Sequence, residues 1–274
     1  MFAPLPDDAL LPGYCPGERS LAMLRAALAG AEVARQSFRV QEPGELITKR
    51  PRDFQTAADR ASERAIAASL ATAFPEATIV GEEGEADRSG GPARLLIDPI
   101  DGTTNFAWGI PFFAVAIALE EKGETVAGVV LDPIHAEAFV AERGAGARLN
   151  GTPLAMKADV APDAAVIGAS LPIPGQVRTV SPASYARALN AVMDTAAGVR
   201  RLGSAALSLC YVAAGRHEAF FEDGLSPLDY AAAVLVVREA GGIASGFDGG
   251  PIPATGAVLA SVRGMHPWLV RQFE

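Results

Sequence analysis

Asp98 and Asp101 stand at the end of an apolar run, Leu95-Leu96-Ile97, within Asp98-Pro99-Ile100-Asp101-Gly102-Thr103-Thr104-Asn105. A buried strand that delivers carboxylates into a tight turn suits a hard cation. Mg²⁺ takes oxygen ligands in near-octahedral geometry and completes its shell with water and substrate phosphate. The backbone N–H groups of Gly102, Thr103 and Thr104 come next, and successive N–H groups can face an anion. The pattern predicts metal-assisted phosphoryl chemistry. It has a plain alternative: Asp favours turns because its side chain bonds its own backbone.

Other acidic groups sit where apolar elements begin or end. Glu82 follows Ile79-Val80, and Asp229 opens an apolar helix. Carboxylates distant in sequence can converge at element ends, which is what a metal site needs. Asp229 reads equally as a helix N-terminal acid facing the dipole, and Glu82-Glu83 as a solvated turn. Thr56-Ala57-Ala58-Asp59 is close to a capping box. A second use of Asp59, orienting the hydroxyl of Thr103, requires the two to meet in space. His135, His217 and His266 are isolated and read as surface or structural residues. There is no Gly-x-Ser-x-Gly elbow or Cys/His pairing, and no Walker lysine motif, so nucleophilic triads and P-loop chemistry are disfavoured.

The elements that must position these groups follow from periodicity. Helices are expected over 18–39, 57–74, 182–195, 204–214 and 228–240, the last stopped by Gly241-Gly242. Strands are expected at 77–80, 95–97, 112–119, 125–131, 137–141, 164–169, 219–222, 243–245 and 257–261. Glu120 to Glu124 reads as a hairpin turn. Residues 43–53 read as a mobile loop. Asn105 through Phe113 reads as core packing. Alternating strands and helices favour an α+β or α/β layered fold. The chain divides into an N-terminal extension (1–17), an α+β half (18–155) and an α/β half (156–274).

The chain has 274 residues, half of them apolar, and a formal net charge of −9. That charge argues against nucleic acid as a partner, because phosphate backbones call for clustered Lys and Arg. It is compatible with a small phosphorylated substrate, since bound cations reverse the local charge. Cys15 and Cys210 form no ligand pattern, which disfavours zinc and fits a reduced, cytoplasmic setting. Neither a signal peptide nor a membrane span is read, so no membrane partner is expected.

Several stretches together resemble the inositol monophosphatase family. They are Asp53-Phe54-Gln55-Thr56-Ala57-Ala58-Asp59, Gly81-Glu82-Glu83, Asp98 through Phe106, Gly128 through Pro133, Gly203-Ser204-Ala205-Ala206 and Leu228-Asp229-Tyr230-Ala231-Ala232. Arg143 through Ala147, Asn150-Gly151 and Glu239 through Gly242 also match in order. The resemblance spans roughly residues 20–270. It implies a layered αβαβα sandwich, a homodimer, and lithium-sensitive hydrolysis of a phosphomonoester with roughly two or three Mg²⁺ ions. Carried over, Glu82, Asp98, Asp101, Asp229 and the Ile100 carbonyl hold metal, with Asp98 as the bridge. Thr103, paired with Asp59, and Glu82 position the attacking water. Gly102, Thr103 and Thr104 contact phosphate, while Ser204, Ala205 and Glu222 face the alcohol.

Inositol monophosphate is the default substrate. Histidinol phosphate, 3′-phosphoadenosine 5′-phosphate and fructose 1,6-bisphosphate are alternatives, as is a regulatory binding protein on the same fold. Three residues depart from the family pattern. Leu228 stands where Trp is usual, Gln55 where an apolar residue is usual, and Lys49 lies one position closer to Asp53 than expected.

Overall fold

The computed structural model describes residues 3–39, 47–50, 53–84, 88–157 and 159–274. The elements in the first half are α1 (Leu11–Tyr14), α2 (Glu18–Ser37), β1 (Ile47–Arg50), β2 (Asp53–Gln55), α3 (Ala57–Ala73), β3 (Thr78–Gly81), β4 (Arg94–Asp101), α4 (Thr103–Ala107), β5 (Ala114–Glu121), β6 (Glu124–Asp132), β7 (Glu137–Glu142), β8 (Gly146–Leu149) and β9 (Thr152–Pro153). The second half holds β10 (Val166–Ala169), α5 (Pro182–Thr195), β11 (Gly198–Arg200), α6 (Ala205–Ala213), β12 (Ala219–Glu222), α7 (Pro227–Glu239), β13 (Ile243–Ser245), β14 (Val258–Ser261) and α8 (His266–Arg271).

Side-chain alternation builds the layers. In β5, Val115, Ile117 and Leu119 pack with α2 and α3, while Ala114, Ala116 and Ala118 face α6 and α7. β4 repeats the pattern, with Leu95 and Ile97 on one side and Leu96 on the other. This is the two-residue period of a sheet covered on both faces. Strands β3 to β9 form a seven-stranded sheet in sequence order, antiparallel except for the β3–β4 pair. The second sheet has five strands in the order β11-β10-β12-β14-β13. Helices α6 and α7 fill the layer between the sheets, and α5 and α8 cover the far face. The result is αβαβα, as the resemblance implies.

The central layer is thin because its residues are small. A Cβ on Gly128 of β6 would lie 2.7 Å from the Ala232 carbonyl oxygen of α7, so only glycine permits this approach. The middle helices contribute Ala231, Ala232, Ala233, Ala205 and Ala206 to the same core. The two sheets divide the chain near residue 155, yet this core takes residues from both halves.

Most expected elements form, with boundaries moved by a few residues. The strand expected at 95–97 is longer: β4 runs to Asp101, with a register shift against β5 between Asp98 and Asp101. The two aspartates therefore sit on a bulged strand end instead of a free turn. A bulge is where a strand tolerates Pro99. The 43–53 loop is partly corrected. Ile47–Arg50 pairs antiparallel with the strand beginning at Asp53, while 43–46, 51 and 52 lie outside the described residues. The short elements α1, α4, β8, β9, β11 and α8 had no periodic signal long enough to read. The hairpin after β5 turns at Lys122-Gly123, both at positive φ, with Glu121 paired to Glu124. The core packing expected over Asn105 through Phe113 holds only in part: Phe106 and Phe113 meet edge to face at 5.1 Å with Phe38 against both, while Trp108 and Ile110 on the turn between them are exposed.

The N-terminal segment docks on the first core. Leu11 and Cys15 are buried among Met23, Leu24 and Val140, and Arg148 donates to the carbonyls of Gly13 and Cys15. Leu11→Ala is expected to lower unfolding free energy by about 2–5 kcal/mol, as buried leucine truncations do, measured by urea denaturation.

His217 is buried, and its Nδ1 lacks a hydrogen-bond partner. Burial, helped by the charge of Arg200, pushes the imidazole down to about 4 from 6.5. The folded state thus refuses a proton that the unfolded chain accepts, and this contribution to stability fades as pH falls from 6.5 toward 4. Relative to wild type, His217→Phe is expected to gain stability on going from pH 7 to pH 5, read from paired thermal melts.

Candidate active site

Each carboxylate is delivered by an element end. Glu82 follows β3, and its N–H donates to the Ile97 carbonyl at 3.1 Å, which fixes the turn against β4. Asp98 accepts the Ile100 N–H at 3.0 Å across the bulge. Gly102 then reverses the chain at φ +97°, and a Cβ there would lie 3.1 Å from the Gly203 carbonyl oxygen. Asn105 ties this turn across the layer by donating to the carbonyls of Phe112 and Leu202 at 2.8 and 2.7 Å.

Asp101 faces the start of α6. It accepts N–H groups from Ala205 and Ala206 at 3.2 and 2.8 Å, together with the Ser204 hydroxyl. A carboxylate at a helix N-terminus satisfies orphan donors and meets the positive end of the dipole. Asp229 lies at the start of α7 and closes a capping box, accepting the Ser226 N–H at 2.7 Å. Asp229 thus acts as a helix N-terminal acid and also lines the cavity at this site.

These groups open on one cavity of 190 Å³, whose wall includes Glu82, Asp98, Ile100, Asp101, Gly102, Thr103, Ser204, Ala205, Glu222 and Asp229. Asp59 stands just behind it. Its Oδ2 accepts the Thr56 N–H at 2.8 Å, and its Oδ1 accepts the Thr103 hydroxyl at 3.2 Å. The capping box and the contact to Thr103 therefore coexist. Thr104 alone among the expected residues is exposed and off the cavity wall. Ser204 and Ala205 bond Asp101 with their polar groups, so the expected contact to an alcohol competes with that role.

Sequence reasoning missed Ser170, Gln176, Arg201 and Leu225. Ser170 ends the apolar strand β10, and the strand-end logic applied to Glu82 would have found it. Gln176 donates to Glu222 at 2.8 Å from a loop with no pattern to flag it. Arg201 and Leu225 reach the wall from connections between elements. Leu228, which departs from the family, packs on the central core and is not on this wall; Leu225 is. Gln55, the other departure, donates its amide to the Glu83 carboxylate. Lys49 lies in β1, outside the residues whose side chains are described. The three histidines are elsewhere: His135 pairs with Asp132 at 2.8 Å and His266 with Ser245 at 2.9 Å.

The electrostatics are severe. Burial pushes Asp98 well above the usual carboxylate range, and the charges of Glu82, Asp101 and Asp229 add to it. Asp101 rises to about 7 through burial, against the opposing bonds from Ser204, Ala206 and Ala205. Burial also lifts Asp229 to about 7, with Asp101 repelling it, and lifts Glu222 to about 7. Asp59 rises to about 6 by burial despite its bonds to Thr56. Asp229 and Glu222 are accessible only in part, and both open on the cavity.

Among the described residues, no three acidic, His or Cys side chains close round one point as a preformed ligand cluster. The donor set nonetheless fits a hard divalent cation. The wall offers oxygen donors without His or Cys, and positive charge there would relieve the repulsion among its carboxylates.

Fold and cavity together define a layered αβαβα protein with an acidic, oxygen-lined centre at the seam of its two sheets. Residues 18–274 match the inositol monophosphatase family, and the chain belongs to it. It is 44% identical over 226 residues to the inositol-1-monophosphatase of Rhizobium meliloti, covering 82% of this chain and 84% of that protein. It is 42% identical over 230 residues to the Nus factor SuhB of Pseudomonas aeruginosa, covering 82% and 84%. The crystal structure of the extragenic suppressor protein suhB of Bartonella henselae superposes with a TM-score of 0.85 at 38% identity, covering 92% of this chain and 97% of that one.

If the cavity takes a divalent cation, Mg²⁺ is expected to stabilise the folded chain by about 2.7 kcal/mol at 100 Kd, read as a melting temperature that climbs with the logarithm of its concentration above Kd. Asp98→Asn is expected to suppress that rise in differential scanning fluorimetry.

Proposed function

We propose that the chain is a Mg²⁺-dependent phosphatase for a small phosphorylated alcohol, with inositol monophosphate as the default substrate. One observation carries the reading: carboxylates from three separate parts of the chain meet at one cavity beside the Thr103–Asp59 pair. Membership of the family and the relatives named inositol-1-monophosphatase support it.

Glu82, Asp98, Asp101, Asp229 and the Ile100 carbonyl would hold roughly two or three ions. When bound, the ions supply Lewis acidity and neutralise charge on the phosphate and the leaving oxygen. The protein's own groups do the positioning. The Thr103 hydroxyl has one proton and two acceptors, Asp59 at 3.2 Å and the Ile100 carbonyl at 3.0 Å. With its proton committed to either, its oxygen is left to accept from a water. Glu82 accepts the water's second hydrogen, which turns the water's lone pair toward phosphorus. The water oxygen bonds to phosphorus as the alcohol oxygen departs in line, and a proton passes to the departing oxygen. Positioning and electrostatics suffice for such a transfer, so no protein nucleophile is needed. Gly102, Thr103 and Thr104 would meet the phosphate. Glu222, held by Gln176, would face the alcohol with Ser204 and Ala205.

The homodimer implied by the resemblance belongs to the same proposal. Trp108 and Ile110, 58% and 46% exposed on the turn after α4, suit a covered surface. A second reading rests on the relatives named Nus factor SuhB, which suggest a binding role on the same fold. The net charge of −9 disfavours direct contact with nucleic acid.

A turnover assay over a panel of phosphomonoesters, with and without Mg²⁺, separates the readings. Phosphate release that needs Mg²⁺, falls in LiCl against a NaCl control and vanishes in a folded Asp98→Asn variant is the expected result. No turnover on any substrate would favour the binding role.

A further inference from the structure

α3 buries two carboxylates one turn apart, Asp59 and Glu63, both fully shielded from solvent. Like charges at this spacing repel, and burying them costs more. Asp59 is accounted for by Thr103. Glu63 does not reach the cavity wall. Its Oε2 accepts the Glu83 N–H at 2.7 Å, and its carboxyl lies so close beneath Gly81 that a Cβ there would sit 2.2 Å from its Cδ. Between them on the same helical face, the Ser62 hydroxyl donates to the Pro99 carbonyl at 3.4 Å. One face of α3 therefore touches the turn carrying Glu82, the bulge carrying Asp98, and Thr103.

We infer that Glu63 is a positioning residue: with Ser62 and Asp59 it makes α3 a bracket that fixes Glu82 relative to Asp98 and Thr103. This rests on the proposed phosphatase reading for its catalytic meaning and on contacts in the fold for the bracing itself. The side chain suits the task because it is long enough to carry an acceptor oxygen from the helix to the Glu83 N–H. Gly81 suits it because the Glu63 carboxyl occupies the place that a Cβ would take. Groups that support metal ligands from behind commonly change metal affinity by about 10- to 100-fold when removed.

The test uses the full chain, with Mg²⁺ alone as the probe. In Glu63→Ala, the Glu83 amide is expected to exchange with solvent at least about 10-fold faster by NMR, while amides of Leu95 to Ile97 keep their protection. The Mg²⁺ dissociation constant from calorimetry is expected to rise about 10-fold or more. Glu63→Gln keeps an acceptor oxygen in place and is expected to restore most of both. Glu63→Asp withdraws the carboxylate by one methylene and is expected to reproduce both losses in a milder form, which keeps the test open if Glu63→Ala does not fold. Unchanged Glu83 protection in both shortened variants would overturn the bracket. So would a lower melting temperature with unaltered Mg²⁺ affinity, since that is a purely structural role. If wild type itself binds no Mg²⁺, the phosphatase reading fails, and amide exchange alone decides whether Glu63 holds the turn.

Discussion

Mutual repulsion among buried carboxylates is the constraint around which this molecule is arranged. Asp98, Asp101, Asp229 and Glu222 open on one small cavity, and burial raises all four out of the ordinary carboxylate range. An uncompensated cluster of this kind opposes folding. The fold answers with fixed dipoles. The starts of α6 and α7 aim their N–H groups at Asp101 and Asp229, and Ser204 and Ser226 add hydroxyls. Helix N-termini supply partial positive charge to Asp101 and Asp229 without inserting a side chain, and Arg201 on the wall adds a full charge that bears on Glu222. That is why both central-layer helices begin at the seam between the sheets.

Thin packing makes the arrangement possible. The alanines of β5, α6 and α7 and the glycine at 128 let the central helices approach the seven-stranded sheet closely. Larger residues would move the helix starts away from β4, and with them the donors that hold Asp101 and the Asp229 carboxylate itself. The composition of the middle layer and the electrostatics of the cavity are one requirement. Core substitutions far from the cavity therefore act on it through helix position.

The fold was legible wherever periodicity was long. Helices over 182–195 and 228–240 and the strands of the first sheet follow from apolar spacing, since one buried face repeats over many residues. Short pieces such as β11 and α8 hold too few residues to show a period. The candidate site was legible where residues cluster in sequence, as at Asp98 to Thr103. It was also legible where an acid closes an apolar element, as at Glu82 and Asp229. Local signals proved ambiguous in an instructive way: Thr56 to Asp59 is a capping box and also half of the Thr103 pair. What sequence could not show is most of the far side. Arg201 and Leu225 on the wall, and Gln176 beside Glu222, come from connections whose places are set by tertiary packing, whereas Ser170 follows an apolar strand and carries the same strand-end signal as Glu82. Leu228 illustrates the converse, because its departure from the family falls on a core contact and leaves the wall to Leu225.

The two walls of the cavity answer to different demands. The wall built from the ends of β3 and β4 is braced from behind by α3: Asp98 and Asp101 are buried, and its turns are held by hydrogen bonds to the backbone. A reaction that asks mainly for positioning needs that bracing, since misplacement of a reacting group by a fraction of a bond length costs rate steeply. The opposite wall combines the ends of β10, β12 and α6 with connections between elements: Glu222 closes β12 and is bonded by Gln176 and Ser170, while Leu225 and the exposed Arg201 come from connections. Loops accept substitution at little cost to the core. The acidic side of the cavity is therefore bound to the fold, while part of the opposite side rests on connections. Substitutions in those connections can reshape the cavity without disturbing Asp98 and Asp101, which the core is built to hold.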